Sequence, residues 1–402
     1  MKHLIRTGIC LFMTCCLLLA GLTGCGEPEQ KKSGQPLSVA FITDLSAIED
    51  HSYNAAIWEG AEKFAENRQI ACSHYSADRF FSESSSEKSG SEADEQELRE
   101  SAIKQAVQDG AALILCAGES YAVPVYHMQM SYPETSFVLI DAEPHSETGE
   151  KSVGPRTCTA SFAEEEAGYM AGYAAVKDGD RLLGFMGGKE EPAVCRFGYG
   201  FVQGAEAAAA ELNLPKNEVK IRYAYMNTYA VDPAVLAQAA KWYKDGITCI
   251  FACGGEMGKS VMNAAEAVSG RVIGVDVDQS AISKTVVTSA KKNLTAYVQR
   301  VLNRYNNNRF VGGMTEHLTA RQKFVGLEMV NSRFRSYNRE DHELLLAKMR
   351  EDGFRILTDR DVKSVTELPL ELAEVQWIDQ KIQLLGRDDI VEKEKASQRD
   401  AD

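Results

Sequence analysis

The chain has 402 residues, of which 44% are hydrophobic, and its formal net charge is −14. This length exceeds what one ordinary core supports, so it predicts two lobes or domains. The acidic balance argues against a nucleic-acid partner, because binding to a phosphate backbone requires concentrated Lys and Arg.

The N-terminal segment is typical of an exported lipoprotein precursor. A short basic start precedes an apolar stretch, about 9–22, which is too short for a comfortable transmembrane span and fits the apolar part of a signal peptide. The stretch ends in Leu-Thr-Gly-Cys, which resembles the bacterial lipobox, where the cysteine is acylated. We therefore expect a signal peptide over 1–24, a lipid on Cys25 and a flexible tether over 25–36 that holds the protein at the bilayer. An ordinary cleaved signal with an incidental cysteine is the alternative.

From residue 37, short apolar runs alternate with amphipathic stretches. The predicted strands contain SVAFIT, IACSHYS, ALILCAG, SFVLIDA, RTCTASF, RLLGFMGG, EVKIRYAYM, ITCIFACGG and RVIGVDVD. The predicted helices contain WEGAEKFAENR, LRESAIKQAVQ, EEEAGYMAGYAAVK, FGYGFVQGAEAAAAELN, PAVLAQAAKWYK and SVMNAAEAV. Strands and helices that alternate at this interval indicate βαβ units and parallel sheets. A Ser-rich, acidic insertion, 82–97, interrupts the first set and runs into a helix at its end.

The alternation restarts once, which predicts two doubly wound α/β lobes. We place the first lobe at 37–158 plus about 288–320. The second lobe takes 159–287 plus about 321–362, and 363–402 forms a C-terminal extension with a charged tail that we expect to be disordered. In such sheets ligands bind outside the carboxyl ends of the strands. The residues that follow predicted strands are Asp44, Gly118, Asp141, Gly187, Gly254 and Asp276.

Several motifs resemble those of one bacterial family. ITDLSAIEDHSYNAAIWEG, with Tyr53 where the family usually has Phe, resembles the opening of the basic membrane protein family. RLLGFMGGKEEPAVCRFGYGFVQG, TYAVDPA, IFACGGEMGKSVMNAAE, VIGVDVDQS and VVTSAKK are similar to later motifs of that family, in the same order. The resemblance covers about 38–331.

This resemblance implies a fold and a function. The fold is the type I periplasmic-binding-protein fold, with two Rossmann-like lobes joined by crossings near 158–161 and 284–289 and by a third crossing later. The function is that of a monomeric nucleoside-binding lipoprotein, which delivers a purine nucleoside to the permease of an ABC importer. We expect no enzymatic activity.

The residue chemistry suggests which side chains bind the ligand. A nucleobase is best held between aromatic rings, and a ribose donates its hydroxyl hydrogens to a carboxylate. Backbone N–H groups of glycines tolerate close approach of a ligand. The candidate ligand-binding residues are Asp44, Tyr53, Asn54, Gly118, Phe197, Tyr229, Gly254, Gly255, Asp276 and Lys292. Among them, Asp276 is assigned to the ribose, and Lys292 is assigned to ribose oxygens or to Asp276.

Each assignment has a structural alternative. Tyr53 could be the first apolar residue of a helix, Phe197 could belong to the core, and Lys292 could be a solvated charge on a helix. At the level of function, the alternatives are a sugar-like or autoinducer-like ligand and a sensory or regulatory lipoprotein whose C-terminal extension contacts a partner. An extracellular hydrolase is disfavoured, because the sequence shows no converging carboxylate cluster.

No cofactor and no metal site is indicated by the sequence. The glycine-rich segment GGEMGKS resembles the end of a phosphate-binding loop, but Cys253 stands where that motif requires its first glycine. The cysteines that follow Cys25 are scattered and lack the close pairs of a zinc site. We expect them to be buried free thiols rather than disulfides.

Overall fold

The computed structural model describes residues 38–43, 48, 51–80 and 92–378, all within a unit of the chain that begins at Leu37. The strands are β1 (Ser38–Thr43), β2 (Ala71–Ser76), β3 (Leu113–Ala117), β4 (Ser136–Ile140), β5 (Thr157–Phe162), β6 (Leu182–Gly187), β7 (Lys220–Tyr225), β8 (Cys249–Cys253), β9 (Arg271–Asp276), β10 (Val286–Lys292), β11 (Met314–Leu318), β12 (Val325–Leu327) and β13 (Glu374–Trp377). The helices are α1 (Tyr53–Arg68), α2 (Glu92–Gln108), α3 (Ala122–Ser131), α4 (Glu164–Lys177), α5 (Pro192–Glu211), α6 (Pro233–Lys244), α7 (Met257–Glu266), α8 (Leu294–Asn306) and α9 (Arg339–Lys348).

Among the described residues, the strands form two sheets. The first sheet has the order β11-β5-β4-β3-β1-β2, and the second has the order β12-β10-β9-β8-β6-β7-β13. β12 pairs antiparallel with β10, and the other pairings are parallel. Parallel strands carry their carboxyl ends to one edge of each sheet, where loops to the following helices collect. The predicted α/β architecture with two doubly wound lobes is therefore confirmed.

The chain passes between the lobes in three places. It leaves β5 at Ala163 to enter the second lobe, returns from β10 through Asn293, and passes once more over 319–324 between β11 and β12. The three crossings are tied by backbone hydrogen bonds. The Ala163 amide donates to the Leu318 carbonyl over 2.9 Å, and the Asn293 amide donates to the Phe324 carbonyl over 2.7 Å.

The lobe boundaries differ from those drawn on the sequence. The predicted boundaries at 158 and 287 fall inside strands, since β5 stays in the first sheet to Phe162 and β10 stays in the second sheet to Lys292. The sequence boundaries come too early because a parallel strand leaves its sheet only where its ladder of hydrogen bonds ends. The first two crossings accordingly lie a few residues beyond the predicted ranges.

Close packing of α4 on α5 fixes the position of the second helix. A Cβ atom added to Gly172 would overlap the Phe201 carbonyl oxygen, and one added to Gly200 would overlap the Glu165 carbonyl oxygen. Only glycine lets the two helix backbones approach this closely. The sequence predicted the helix α4, and its glycines let it hold α5 at the lobe interior.

Part of the C-terminal extension belongs to the second lobe. β13 pairs in parallel with β7, and the Trp377 ring stacks on Tyr223 with centroids 5.7 Å apart. This corrects the prediction that treats 363–402 as a separate extension, because backbone pairing and ring stacking build 374–377 into the sheet. The predicted disordered tail lies outside the described residues, which end at residue 378.

The elements that the sequence did not predict include α3, α8, β11 and β12. The first contains Pro124, which a helix tolerates in its first turn, where backbone N–H groups have no intrahelical partner. The two strands are short, and β11 is half polar, so neither shows a clear period. The predicted insertion at 82–97 lies outside the described residues up to residue 91, and its end is the start of α2, as predicted.

Two further findings concern the cysteines and the helices of the described ranges. Cys72, Cys116, Cys158, Cys195, Cys249 and Cys253 are free thiols, and all except Cys72 are buried. Every helix in the described part of the chain is too short or too polar to span a bilayer. The lipobox cysteine, Cys25, lies outside that part.

Candidate ligand-binding site

A cavity of about 160 Å³ lies at the carboxyl ends of the strands, lined by residues of both lobes. The predicted residues that line it are Tyr53, Asn54, Gly118, Phe197, Tyr229, Gly254, Gly255, Asp276 and Lys292. Asp44 lies outside the described residues. The rule that ligands bind at strand ends therefore selected residues that are far apart in the sequence. Tyr53 and Lys292, for example, are 239 positions apart and line the same cavity.

Tyr53 is the first residue of α1 and faces the cavity at the same time. Its hydroxyl donates to the Ile140 carbonyl at the end of β4 over 3.4 Å. Burial raises its pKa well above the ordinary value, and the nearby Asp141 carboxylate raises it further. The phenol therefore stays protonated. Tyr53 is both the first residue of a helix and a residue that lines the cavity, so the two interpretations of it are compatible.

The other aromatic walls come from the second lobe. Phe197 lies in the second turn of α5 and is 2% exposed, as the alternative of a core residue requires. Tyr229 lies in the loop after β7, as predicted. Phe197 thus belongs to the core and to the cavity, because α5 begins directly beside the strand ends.

Asp276 ends β9 with a positive φ of 65°, a conformation that Asp adopts more readily than most residues. The Ser52 hydroxyl donates to its carboxylate over 3.1 Å. Ser52 precedes α1 in the first lobe, so this hydrogen bond joins the two lobes across the cavity. Asp276 itself is only 7% exposed.

Lys292 is a buried residue at the end of β10, which excludes the alternative of a solvated charge on a helix. Its Nζ lies 2.6 Å from Asp141 Oδ2 and 3.1 Å from Glu164 Oε1. Burial would lower the pKa of Lys292, but these carboxylates raise it above its ordinary value. The ammonium also lies 5.2 Å and 5.3 Å from the ring centroids of Tyr53 and Phe197, within cation–π range.

Glu164 extends this charge cluster away from the cavity. It is fully buried, and Arg196 Nη1 lies 3.2 Å from its Oε2. Burial raises the pKa of Glu164 to about 7, although Lys292 and Arg196 oppose the shift. Arg196 in turn pairs with Asp359 over 2.9 Å. The buried ammonium of Lys292 is therefore held by the Asp141 carboxylate of the first lobe and the Glu164 carboxylate of the second.

Glycines let backbone and aromatic rings pack closely around the cavity. A Cβ atom on Gly254 would lie 3.0 Å from Gly188 Cα and 2.7 Å from Met257 Cε. Gly118 follows β3 with a φ of 95°, which favours glycine. No group of three or more His, Cys, Asp or Glu suited to a metal ion occurs within the described residues.

Comparison with known proteins identifies the family of the chain. The family model described as "ABC transporter substrate-binding protein PnrA-like" (Bmp) matches residues 37–351. The chain belongs to the Bmp family. This confirms the resemblance to basic membrane proteins that the sequence motifs indicated.

Relatives and solved structures extend the match. The ABC transporter nucleoside-binding protein BmpA of Lactococcus lactis subsp. cremoris (strain MG1363) is 25% identical over 319 residues, which cover 73% of this chain and 83% of the relative. Basic membrane protein A1 of Borrelia garinii subsp. bavariensis is 26% identical over 323 residues, which cover 77% of this chain and 84% of the relative. A solute-binding protein of an ABC transporter system from Aeropyrum pernix K1 superposes with a TM-score of 0.62 at 19% identity, covering 83% of this chain and 90% of that structure.

Membership in the Bmp family settles the class of the protein. It is an extracytoplasmic substrate-binding protein of an ABC transporter, with the type I periplasmic-binding-protein fold. Bmp proteins bind solutes for transport and are not enzymes. Its ligand is a small molecule, and its partner is a permease.

Sequence reasoning missed several residues that line the cavity of this Bmp protein. These are Glu119, Ser120, Lys189, Glu191, Cys253 and Glu256, together with Asp141, which was noted only as a strand-end residue. All follow or end a strand, so a wider search of the loops after each strand would have found them. Glu164 gave a weaker signal, since it opens a run of three glutamates that reads as a solvated helix start.

Proposed function

We propose that the protein captures a purine nucleoside in this cavity and delivers it to the permease of an ABC importer. One observation carries the proposal. Tyr53 from the first lobe and Phe197 and Tyr229 from the second line one cavity, and the carboxylate of Asp276 lines it as well. The nucleoside-binding relative from Lactococcus lactis supports the same ligand class.

The aromatic side chains suit the base. Stacking of a base on an aromatic ring contributes about 1–3 kcal/mol, whatever the base, because every base has a π-face. Asn54 lies beside Tyr53 in the cavity wall and offers both a donor and an acceptor to the edge of the base. Asp44 could accept from N–H groups of the same edge, and it remains a prediction from the sequence.

The carboxylate of Asp276 suits the ribose. Vicinal hydroxyls donate well to an ionised carboxylate, which forms stronger hydrogen bonds than a neutral acceptor. The backbone at Gly254 and Gly255 leaves room for close approach of the sugar. Lys292 is enclosed by Asp141 and Glu164, so we assign it to holding the cavity wall rather than to donating to ribose oxygens.

Binding is coupled to lobe closure in this proposal. A ligand that contacts both lobes favours the closed state by the difference between its affinities for the closed and open states. The Ser52–Asp276 hydrogen bond already joins the lobes beside the cavity. The closed form is the one that we propose the permease receives.

We also propose that the monomeric protein is anchored to the membrane through an acylated Cys25. The proposal rests on the sequence, where Cys25 follows an apolar stretch and two small residues. Each buried acyl CH₂ contributes about 0.8 kcal/mol, so that two or more chains give stable anchoring. Replacement of Cys25 by Ala should move the protein from the membrane fraction to the medium. Retention of the variant on the membrane, without a lipid-sized mass on the wild type, would contradict the anchor.

A thermal-shift screen of the full-length protein in mild detergent tests the ligand. The panel contains adenosine, guanosine, inosine, the free bases, ribose and other sugars. A ligand at 100 times its dissociation constant should stabilise the folded state by about 2.7 kcal/mol. We expect a purine nucleoside to raise the melting temperature and ribose alone to have little effect.

Two variants connect the shift to the cavity. Tyr53→Ala should abolish the stabilisation by the nucleoside, while Asp278→Asn, which changes a half-buried carboxylate two residues beyond Asp276, should preserve it. A shift with a sugar but with no nucleoside would leave the family assignment unchanged and would show that the ligand is not a nucleoside. No shift with any compound would favour a sensory role through a protein partner.

A further inference from the structure

A hydrogen bond in the cavity wall joins two loops of the second lobe. The Tyr229 hydroxyl donates to Glu191 Oε2 over 2.7 Å, and both residues line the cavity. We propose that Glu191 is a positioning residue, which fixes the Tyr229 ring as a wall of the cavity and thereby sets the affinity for the ligand. This inference rests on the proposed function, because it concerns how the same cavity holds a nucleoside.

The base of the Tyr229 side chain is fixed by packing. A Cβ atom on Gly188 would overlap the Tyr229 ring, so the ring lies directly on the glycine backbone. The Asn227 amide donates to the Gly188 carbonyl over 2.8 Å, and the Met257 amide donates to the Tyr229 carbonyl over 2.9 Å. These contacts hold the loop and one face of the ring, and they leave the hydroxyl end to be held by another group.

Glu191 is that group. The Lys189 ammonium lies 5.8 Å from the Tyr229 ring centroid, but it is the Glu191 carboxylate that accepts from the hydroxyl. Burial raises the pKa of Tyr229 above its ordinary value, and the charge of Glu191 raises it further. The phenol therefore stays protonated at physiological pH and can donate to the Glu191 carboxylate.

The position of Glu191 gives this bond a consequence for the second aromatic wall. Glu191 immediately precedes α5, which starts at Pro192 and carries Phe197 in its second turn. The carboxylate therefore ties Tyr229 to the helix that places Phe197, and the two rings share one rigid frame. A ring that is ordered before binding loses less conformational entropy when the ligand arrives.

A direct contact between Glu191 and the ligand is the competing role, and a double-mutant cycle separates the two. If Glu191 acts through Tyr229, its removal should have no further effect once the Tyr229 hydroxyl is absent. If Glu191 touches the ligand, the two losses should add. Gln at position 191 keeps an oxygen that accepts from the hydroxyl, so it should rescue the positioning role.

The experiment is titration calorimetry of full-length protein with the nucleoside that binds tightest among adenosine, guanosine and inosine. Glu191→Ala and Tyr229→Phe should each weaken binding by about three- to tenfold, the entropic cost of one loosened side chain. The double variant should match either single variant, and Glu191→Gln should stay within about twofold of wild type. Wild-type affinity in Glu191→Ala, or additive losses in the double variant, would overturn the proposal.

Hydrogen exchange of the ligand-free protein tests the same claim without a ligand. Exchange over 226–232 should be faster in Glu191→Ala than in wild type, normal in Glu191→Gln, and unchanged over 119–122 of the first lobe. If the wild type binds no nucleoside, the proposed function fails, and this measurement still decides the role of Glu191. Unchanged exchange over 226–232 in Glu191→Ala would then refute it.

Discussion

The two lobes end equivalent strands on aspartates that do different work. Asp141 follows β4 and Asp276 ends β9, and each strand lies beside the one that leads to a crossing. Both residues have a φ of 65°. Both aspartates line the cavity, but Asp141 pairs with the buried Lys292, whereas Asp276 accepts from Ser52 of the other lobe.

The crossings repeat this contrast. Ala163 has φ −82° and ψ 68°, and Asn293 has φ −85° and ψ 62°, so the backbone turns in the same way at both. Glu164 follows the first crossing and Lys292 precedes the second, and the two side chains pair over 3.1 Å. The backbone is therefore similar at the equivalent strand ends and crossings, and the neighbouring side chains decide whether the aspartate holds a buried cation, as Asp141 does, or accepts from the other lobe, as Asp276 does.

The largest expected effect concerns the contribution of Lys292 to the stability of the folded protein. Lys292→Met should lower the free energy of unfolding by about 3–5 kcal/mol, because it leaves Asp141 and Glu164 buried without their shared cation. Lys63→Met is the control, since Lys63 pairs with Glu59 between two exposed side chains, and should cost about 1 kcal/mol or less. Denaturant unfolding of the ligand-free protein measures both. Equal losses would show that Lys292 has no special structural role.

The second prediction exchanges the two aspartates for asparagine, which also tolerates the left-handed conformation. Asp276→Asn should weaken nucleoside binding by about tenfold to a hundredfold, the range of a hydrogen bond to a charged group. Asp141→Asn should instead lower stability by about 2 kcal/mol, because Lys292 loses one of its buried carboxylates. Calorimetry and denaturant unfolding of both variants test this division. If both variants changed nucleoside binding and stability to a similar extent, the proposed difference between Asp141 and Asp276 would be wrong.

A third prediction concerns pH and the acidic residues that follow the first crossing. Burial, and then the charge of Glu164, raise the pKa of Glu165 from 4.5 to about 8. A carboxyl group with a higher pKa in the folded state binds its proton more tightly there, so stability falls as pH rises from 4.5 towards 8. The slope is at most about 1.4 kcal/mol per pH unit for one group.

Glu165→Gln should remove that part of the slope. The variant should match the wild type near pH 4.5 and exceed its stability at pH 8, as measured by unfolding at several pH values. Glu62→Gln, a change at an exposed position on α1, should leave the wild-type slope intact. A wild-type slope in Glu165→Gln would place the titrating group elsewhere in the cluster.

The sequence by itself determined the architecture and the location of the site. Alternation of apolar strands with amphipathic helices specifies parallel sheets, because each element type has its own period and each sheet must be covered on both faces. The carboxyl ends of such strands converge, so Asp276, Gly254 and Gly118 could be assigned to one cavity before any coordinates. The order of the motifs along the chain indicated the family, which the family model confirms.

Only the tertiary structure decided how the charges are used. Lys292 meets Asp141, which lies 151 positions earlier, and no local pattern encodes a pairing over that distance. The sequence pattern around Glu164 is typical of a solvated helix start, but the first crossing places Glu164 in the protein interior. The pairing of β13 with β7 likewise depends on an open sheet edge that is made by another part of the chain. Burial and partner choice are properties of packing, and packing joins residues that the sequence separates.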